Sequence, residues 1–139
     1  MPKIIIMEDD LELSYDLSQR LEAAGHQVTS CRTADSARDE LKTHPYDLLI
    51  TDIFVHRNNR SSNDGGISLI AWVRGRSETH NMPIIAVSGS THYPGMKSIL
   101  TVARRIGADA VLEKPMIFSE LLSQISGLVY PRFRAPPAC

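Results

Sequence analysis

Five times along this chain a short apolar run gives way to an amphipathic segment, and that alternation limits the fold more than any other feature. Ile4-Ile5-Ile6-Met7 is continuous and rich in β-branched residues, as expected of a strand covered on both faces. Leu11, Leu13, Leu17, Leu21 and Ala24 then recur at helical spacing, with Gly25 as a stop. Residues 26–31 read as a short strand. Residues 33–42 read as a helix, capped by Thr33 or Asp35, with Ala34, Ala37 and Leu41 on its apolar face. His44-Pro45 ends that helix, and residues 46–51 form a third strand with Asp52 at its end. A polar, irregular segment over 54–64 leads to a helix over 67–75, and residues 84–87 form a fourth strand ending at Ser88-Gly89. Met96, Ile99, Leu100, Val102, Ala103 and Ile106 mark the next helix, stopped by Gly107. Residues 108–112 make a fifth strand, and the last helix carries Ile117, Leu121, Leu122, Ile125, Leu128 and Val129. Strands alternating with helices in this way predict an α/β fold, a parallel sheet of five strands with helices on both faces. Right-handed crossovers leave few topologies open.

Composition sets the outer bounds. The 139 residues make one domain, taken here as 1–130, with the Pro-rich segment 131–139 expected to be a disordered tail. At that length no separate output domain is expected. Lys and Arg total 15 against 16 Asp and Glu, and this balance argues against direct binding to DNA or another polyanion. Cys31 and Cys139 have no spacing that would hold zinc, and two isolated thiols suit a reducing compartment. The N-terminal apolar run is too short for a signal peptide or a membrane span, so a cytoplasmic protein with no membrane contact is expected. The histidines His26, His44, His56, His80 and His92 show no ligand spacing and read as solvated or capping residues.

Ligands of open α/β sheets bind outside the carboxyl ends of the strands, where strand order reverses. The first strand ends in Glu8-Asp9-Asp10, the third in Asp52, the fourth in Ser88 and the fifth in Lys114. Carboxylates held together raise one another's pKa unless a cation sits among them, and hard oxygen ligands at a partly open site suit Mg2+. A carboxylate beside such a metal can act as a nucleophile toward phosphorus, while an ammonium and a hydroxyl pair with the transferred oxygens. Each residue also has a plainer role open to it. Asp10 and Glu12 suit the first turn of the following helix, and Asp52 and Ser88 suit turns.

With these residues in view, the chain resembles a receiver domain of a two-component response regulator from Lys3 to about Tyr130. Ile4-Ile5-Ile6-Met7-Glu8-Asp9-Asp10 is similar to the family's first-strand acidic motif, and Tyr46-Asp47-Leu48-Leu49-Ile50-Thr51-Asp52 to the strand leading to its phospho-accepting aspartate. Ala86-Val87-Ser88-Gly89 resembles the hydroxyl motif, and Gly107-Ala108-Asp109-Ala110-Val111-Leu112-Glu113-Lys114-Pro115 the lysine motif, whose proline is typically cis in the family. The resemblance implies a flavodoxin-like, doubly wound sheet of strand order 2-1-3-4-5. It implies Asp52 as phospho-acceptor, with Lys114 and Ser88 completing the catalytic set. Mg2+ would be held by Asp9, Asp52 and the backbone carbonyl of Phe54, with Glu8 helping through water. A sensor histidine kinase or histidine phosphotransfer protein would be the donor. The output would pass by binding a separate, unidentified protein target, so the chain would be a stand-alone switch and not a turnover enzyme.

Two departures from the family pattern stand out. Val55-His56 occupy the place of the usual Met-Pro after the aspartate, and Asp64-Gly65-Gly66 arrive late, after an insertion holding Arg57 and Arg60. The insertion reads either as a tolerated surface loop or as a segment whose Arg57 or Arg60 hangs over the site or contacts a partner. Val111 stands where the family often has an aromatic ring that reports the switch. The resemblance implies that Phe54 and Ser90, two residues beyond Asp52 and Ser88, would flank the route of attacking water. The competing reading is a pseudo-receiver, an interaction module that keeps the fold without being phosphorylated. A magnesium phosphatase is disfavoured because Phe54 stands where its second acid belongs.

Overall fold

In the computed structural model, which describes residues 2–53, 56–57, 60–61, 65–89 and 96–133, every apolar run named above becomes a strand. The sheet strands are β1 Lys3–Met7, β2 Gln27–Cys31, β3 Leu48–Asp52, β6 Ile84–Ser88 and β7 Ala110–Glu113. They are parallel throughout and ordered β2-β1-β3-β6-β7, the 2-1-3-4-5 arrangement of a doubly wound sheet. The helices among the described residues are α1 Leu11–Ala23, α2 Ala34–Thr43, α3 Gly66–Arg74, α4 Met96–Ile106 and α5 Phe118–Phe133.

The alternation of side chains along each strand divides the core in two. Ile4, Ile6, Leu48, Ile50, Ile85 and Val87 face α1 and α5, where they meet Leu17, Leu21, Leu121, Ile125 and Val129. Ile5, Met7, Leu49, Ile84 and Ala86 face the other way, onto Ala34, Ala37, Leu41, Leu69, Ile70, Val73 and Ala103. Each buried Ile or Leu is worth about 1.5–3 kcal/mol, so a sheet filled on both faces holds its strand ends rigidly.

The capping residues resolve one open choice. Thr33, not Asp35, caps α2, its Oγ1 accepting from the Ser36 amide at 3.0 Å. Asp10 caps α1 by accepting from the Leu13 amide at 3.1 Å, the plainer of the roles open to it.

Three expectations change. The segment 54–64 is not irregular throughout: β4 His56–Arg57 and β5 Arg60–Ser61 pair as a short antiparallel ladder. The helix α5 continues to Phe133, taking in the first three residues of the expected tail, while 134–139 lie outside the described residues. Of the two roles read for His26, solvated or capping, the solvated one fails: the residue is buried, and its backbone amide donates to the Leu21 carbonyl at the end of α1. His44 and His80 are exposed and bond locally, to Glu40 and to the Ser77 carbonyl, whereas His92 and Cys139 lie outside the described residues. Trp72 is half-buried, with the Arg76 guanidinium 4.5 Å from its ring centre.

One close approach depends on glycine. The Gly66 amide donates to the Ile53 carbonyl at 3.0 Å, and a Cβ on Gly66 would stand 1.9 Å from the Asp52 carbonyl oxygen. The start of α3 therefore rests directly on the end of β3. Gly66→Ala should force the two apart and lower stability by about 3 kcal/mol or more. The urea unfolding midpoint measures this, and an unchanged midpoint would show that α3 can shift freely.

Candidate functional site

Strand order reverses between β1 and β3, because the chain leaves β1 for β2 on one side and returns past β1 to β3 on the other. A crevice opens at that point at the carboxyl ends of the strands, and the polar residues lie there. Glu8 and Asp9 follow β1, and Asp52 ends β3. A carboxylate oxygen from each lies within 4.8 Å of the other two, the arrangement of a potential metal site. Glu8 and Asp52 are 5% and 7% exposed, so both are nearly withdrawn from water.

Lys114 reaches the cluster from the end of β7. Its Nζ lies 3.0 Å from Glu8 Oε2, 3.2 Å from Oε1 and 3.3 Å from Asp52 Oδ2. The Lys114 amide donates to the Ser88 carbonyl at 2.8 Å, which joins the ends of β6 and β7 beside the acids. The Lys114–Pro115 peptide is cis. The Ser88 side chain is fully buried, and its Oγ has no hydrogen-bond partner among the described residues. An unsatisfied buried hydroxyl is costly unless something meets it, and this one stands on the strand between Asp52 and Lys114.

The electrostatics follow from burial. Desolvation and the neighbouring Asp52 charge push the Glu8 carboxyl up to about 7, against the pull of Lys114 in the other direction. Burial lowers the Lys114 ammonium, but the charges of Asp52 and Glu8 outweigh it and hold its pKa above the usual value. A hard cation among these oxygens would lift the mutual repulsion. The donor set fits a magnesium ion.

The structure thus brings together Glu8, Asp9, Asp52, Ser88 and Lys114 from four strand ends. Phe54, whose carbonyl was expected to bind metal, lies outside the described residues, as does Ser90. Val111 is half-buried against the face of the core that carries α2, α3 and α4. Two features escaped the sequence reading. The bidentate hold of Lys114 on Glu8 was signalled only by opposite charges on two strand ends, and the seat of Gly66 on Asp52 only by the Gly65-Gly66 pair. A cleft of about 510 Å³ also opens beside Lys114, between α1 and the start of α5, with Leu13, Leu17, Pro115, Met116 and Phe118 in its wall.

A family profile described as "Response regulator receiver domain" matches residues 4–126. The swarming motility regulation protein RssB of Serratia marcescens is 30% identical over 125 residues, 90% of this chain and 52% of its own length. The phosphate regulon transcriptional regulatory protein PhoB of Rhizobium meliloti is 31% identical over 129 residues, 93% of this chain and 52% of its own. The chain therefore spans about half the length of these curated relatives. Among solved structures, the signal receiver domain of a signal transduction histidine kinase from Syntrophus aciditrophicus superposes with a TM-score of 0.82 at 23% identity, covering 100% of this chain and 98% of that one. A two-component response regulator from Clostridium difficile gives 0.79 at 22% identity, covering 97% and 100%. These two likenesses show the fold. No helix among the described residues is long and apolar enough to cross a membrane.

The raised Glu8 pKa has a consequence for stability. The unfolded carboxyl releases its proton near 4.5 and the folded one near 7, so the native state binds more protons in that window. Its contribution is complete below pH 4.5 and is lost as pH rises through 7. Burial lowers the His26 pKa and gives a slope of opposite sign, so Glu8→Gln supplies the reference. Without divalent metal, the wild type should lose on the order of 1–2 kcal/mol relative to Glu8→Gln between pH 5 and pH 8. Urea unfolding at the two pH values tests this, and parallel curves for the two proteins would contradict it.

Proposed function

Because the chain belongs to the response regulator receiver-domain family, we propose that it takes a phosphoryl group onto Asp52 from the histidine of a sensor kinase or phosphotransfer protein and signals by binding another protein. The observation that carries this reading is the grouping, at the strand-end crevice, of three acidic oxygen donors and one lysine ammonium, with the buried Ser88 hydroxyl on the neighbouring strand lacking a partner among the described residues.

The reaction is a transfer between two side chains. An Asp52 carboxylate oxygen attacks phosphorus, the bond from phosphorus to the donor imidazole nitrogen breaks, and the imidazole leaves with the bonding electron pair. The product on this chain is an acyl phosphate. Lys114, already 3.3 Å from Asp52, pairs with the oxygens that arrive, and Ser88 Oγ donates to one of them. Glu8 keeps Lys114 directed at the site. Asp9 and Asp52 would hold Mg2+ together with the Phe54 carbonyl, and Glu8 would contribute through water. When bound, the ion supplies charge neutralisation for the entering phosphoryl group. The protein acts as a switch that promotes its own modification and has no turnover substrate.

A receiver-like module that is never phosphorylated is the second reading, favoured by Val111, a half-buried valine where the family often carries an aromatic ring. Intact-mass measurement after incubation with a small acyl-phosphate donor and magnesium separates the two. The wild type should gain one phosphoryl group and Asp52→Asn none. Lys114→Ala should slow the gain by about 10²-fold. A wild type that stays unmodified favours the second reading, and modification of Asp52→Asn would place the acceptor elsewhere.

A further inference from the structure

We propose that Arg74, at the far end of the sheet, is a positioning residue that locks the register of β7 and so delivers Lys114 to Asp52. The role in phosphorylation rests on the reading of Asp52 as acceptor; the lock itself does not.

The need for a lock is visible in β7. It is an edge strand, pairing among the described residues with β6 alone through Ile85↔Ala110, Ala86↔Val111, Val87↔Leu112 and Ser88↔Glu113. Ala110-Val111-Leu112 is apolar on both faces, so burial hardly distinguishes this register from one shifted by a residue. Such a slip would turn every following side chain to the opposite face, Lys114 included.

The residues just before the strand supply what the pattern lacks. The Asp109 amide donates to the Ile84 carbonyl at 2.8 Å, and Asp109 Oδ2 accepts from the Ile84 amide at 2.9 Å. Arg74, on the last turn of α3, fixes that carboxylate. Its Nη2 donates to Asp109 Oδ2 at 2.9 Å and to the Gly107 carbonyl at 2.7 Å, and its Nε donates to the same carbonyl at 3.1 Å. Its Nη1 donates to the carbonyls of His80 at 3.0 Å and Met82 at 2.6 Å. All five guanidinium N–H groups are thus engaged, on both loops that enter β6 and β7. Gly107 has φ +138°, and a Cβ there would lie 2.7 Å from Arg74, so the turn is shaped around this side chain. A lysine has three donors on one atom and cannot span these acceptors.

Arg74 lies about five strand residues from the acids, roughly 16 Å along β7, so it acts only through the strand. The carboxylates of the proposed metal site stand on β1 and β3, outside the lock. This separates its effect from general loosening. Arg74→Ala should not weaken Mg2+ affinity, measured by calorimetry, because a displaced Lys114 leaves the Glu8 and Asp52 carboxylates more negative, and it should slow Asp52 phosphorylation by a small acyl phosphate by about 10- to 100-fold. Arg74→Lys should fall between that variant and the wild type. In the background of Lys114→Ala, removing Arg74 should cost no further rate. Hydrogen exchange at the Lys114 amide should quicken by about tenfold while exchange at the Ile5 amide stays unchanged. Asp109→Asn keeps an acceptor for Ile84 but weakens the ion pair, and should show the same pattern in smaller degree if Arg74→Ala does not fold.

Equal losses of metal affinity and rate, an unchanged rate, multiplicative effects with Lys114→Ala, or unchanged exchange at Lys114 would each overturn the proposal. If the wild type takes no phosphoryl group, the reading of Asp52 fails, and the exchange measurement alone decides the lock.

Discussion

Glu8 and Asp52 are nearly buried within reach of each other and of Asp9, and the Lys114 ammonium stands between them at 3.0 and 3.3 Å. Two carboxylates in a low-dielectric crevice repel strongly, and removing either from water is costly. Lys114 offsets part of that cost, while Glu8 retains the remainder as an upward shift of its pKa to about 7. The site therefore stands in tension. It gathers three carboxyl groups around the Lys114 ammonium, together with a buried Ser88 hydroxyl that meets no partner among the described residues. A divalent cation and a phosphoryl group are the kinds of species that such groups would receive.

That tension is sustained by a rigid frame. The sheet is filled on both faces, and among the described residues the strands that lead to Glu8, Asp52 and Ser88 are buried along almost their whole length. The weak member is β7, an edge strand whose apolar run does not choose its own register. Pinning its amino end with Arg74 and Asp109, and its carboxyl end with the Lys114 amide on Ser88, gives the lysine a position that hydrophobic packing alone would leave loose.

Much of this was legible in the residue order, for identifiable reasons. Strands covered on both faces read as continuous apolar runs, so Ile4 to Met7 and Ile84 to Val87 were unambiguous, and the strand-end positions of Asp52, Ser88 and Lys114 followed by counting. Local capping left a choice between Thr33 and Asp35, because either side chain suits a helix start and only backbone conformation decides. The ladder of His56–Arg57 with Arg60–Ser61 was missed because a polar stretch carries no alternation to betray a strand. The burial of His26, read as solvated or capping, went unseen because burial depends on which elements close over a residue, and a single imidazole carries no periodic signal.

By itself, the sequence determined the class of fold, the direction of the strands and which side chains stand at their ends, since periodicity and turn residues are local properties. Only the tertiary structure decided which of those ends meet. Glu8, Asp52 and Lys114 lie far apart along the chain, and their contact depends on strand order, on a glycine that lets α3 rest against Asp52, and on the register of an edge strand. Pairings of that kind are set by packing and hydrogen bonds between distant segments, which no local pattern encodes.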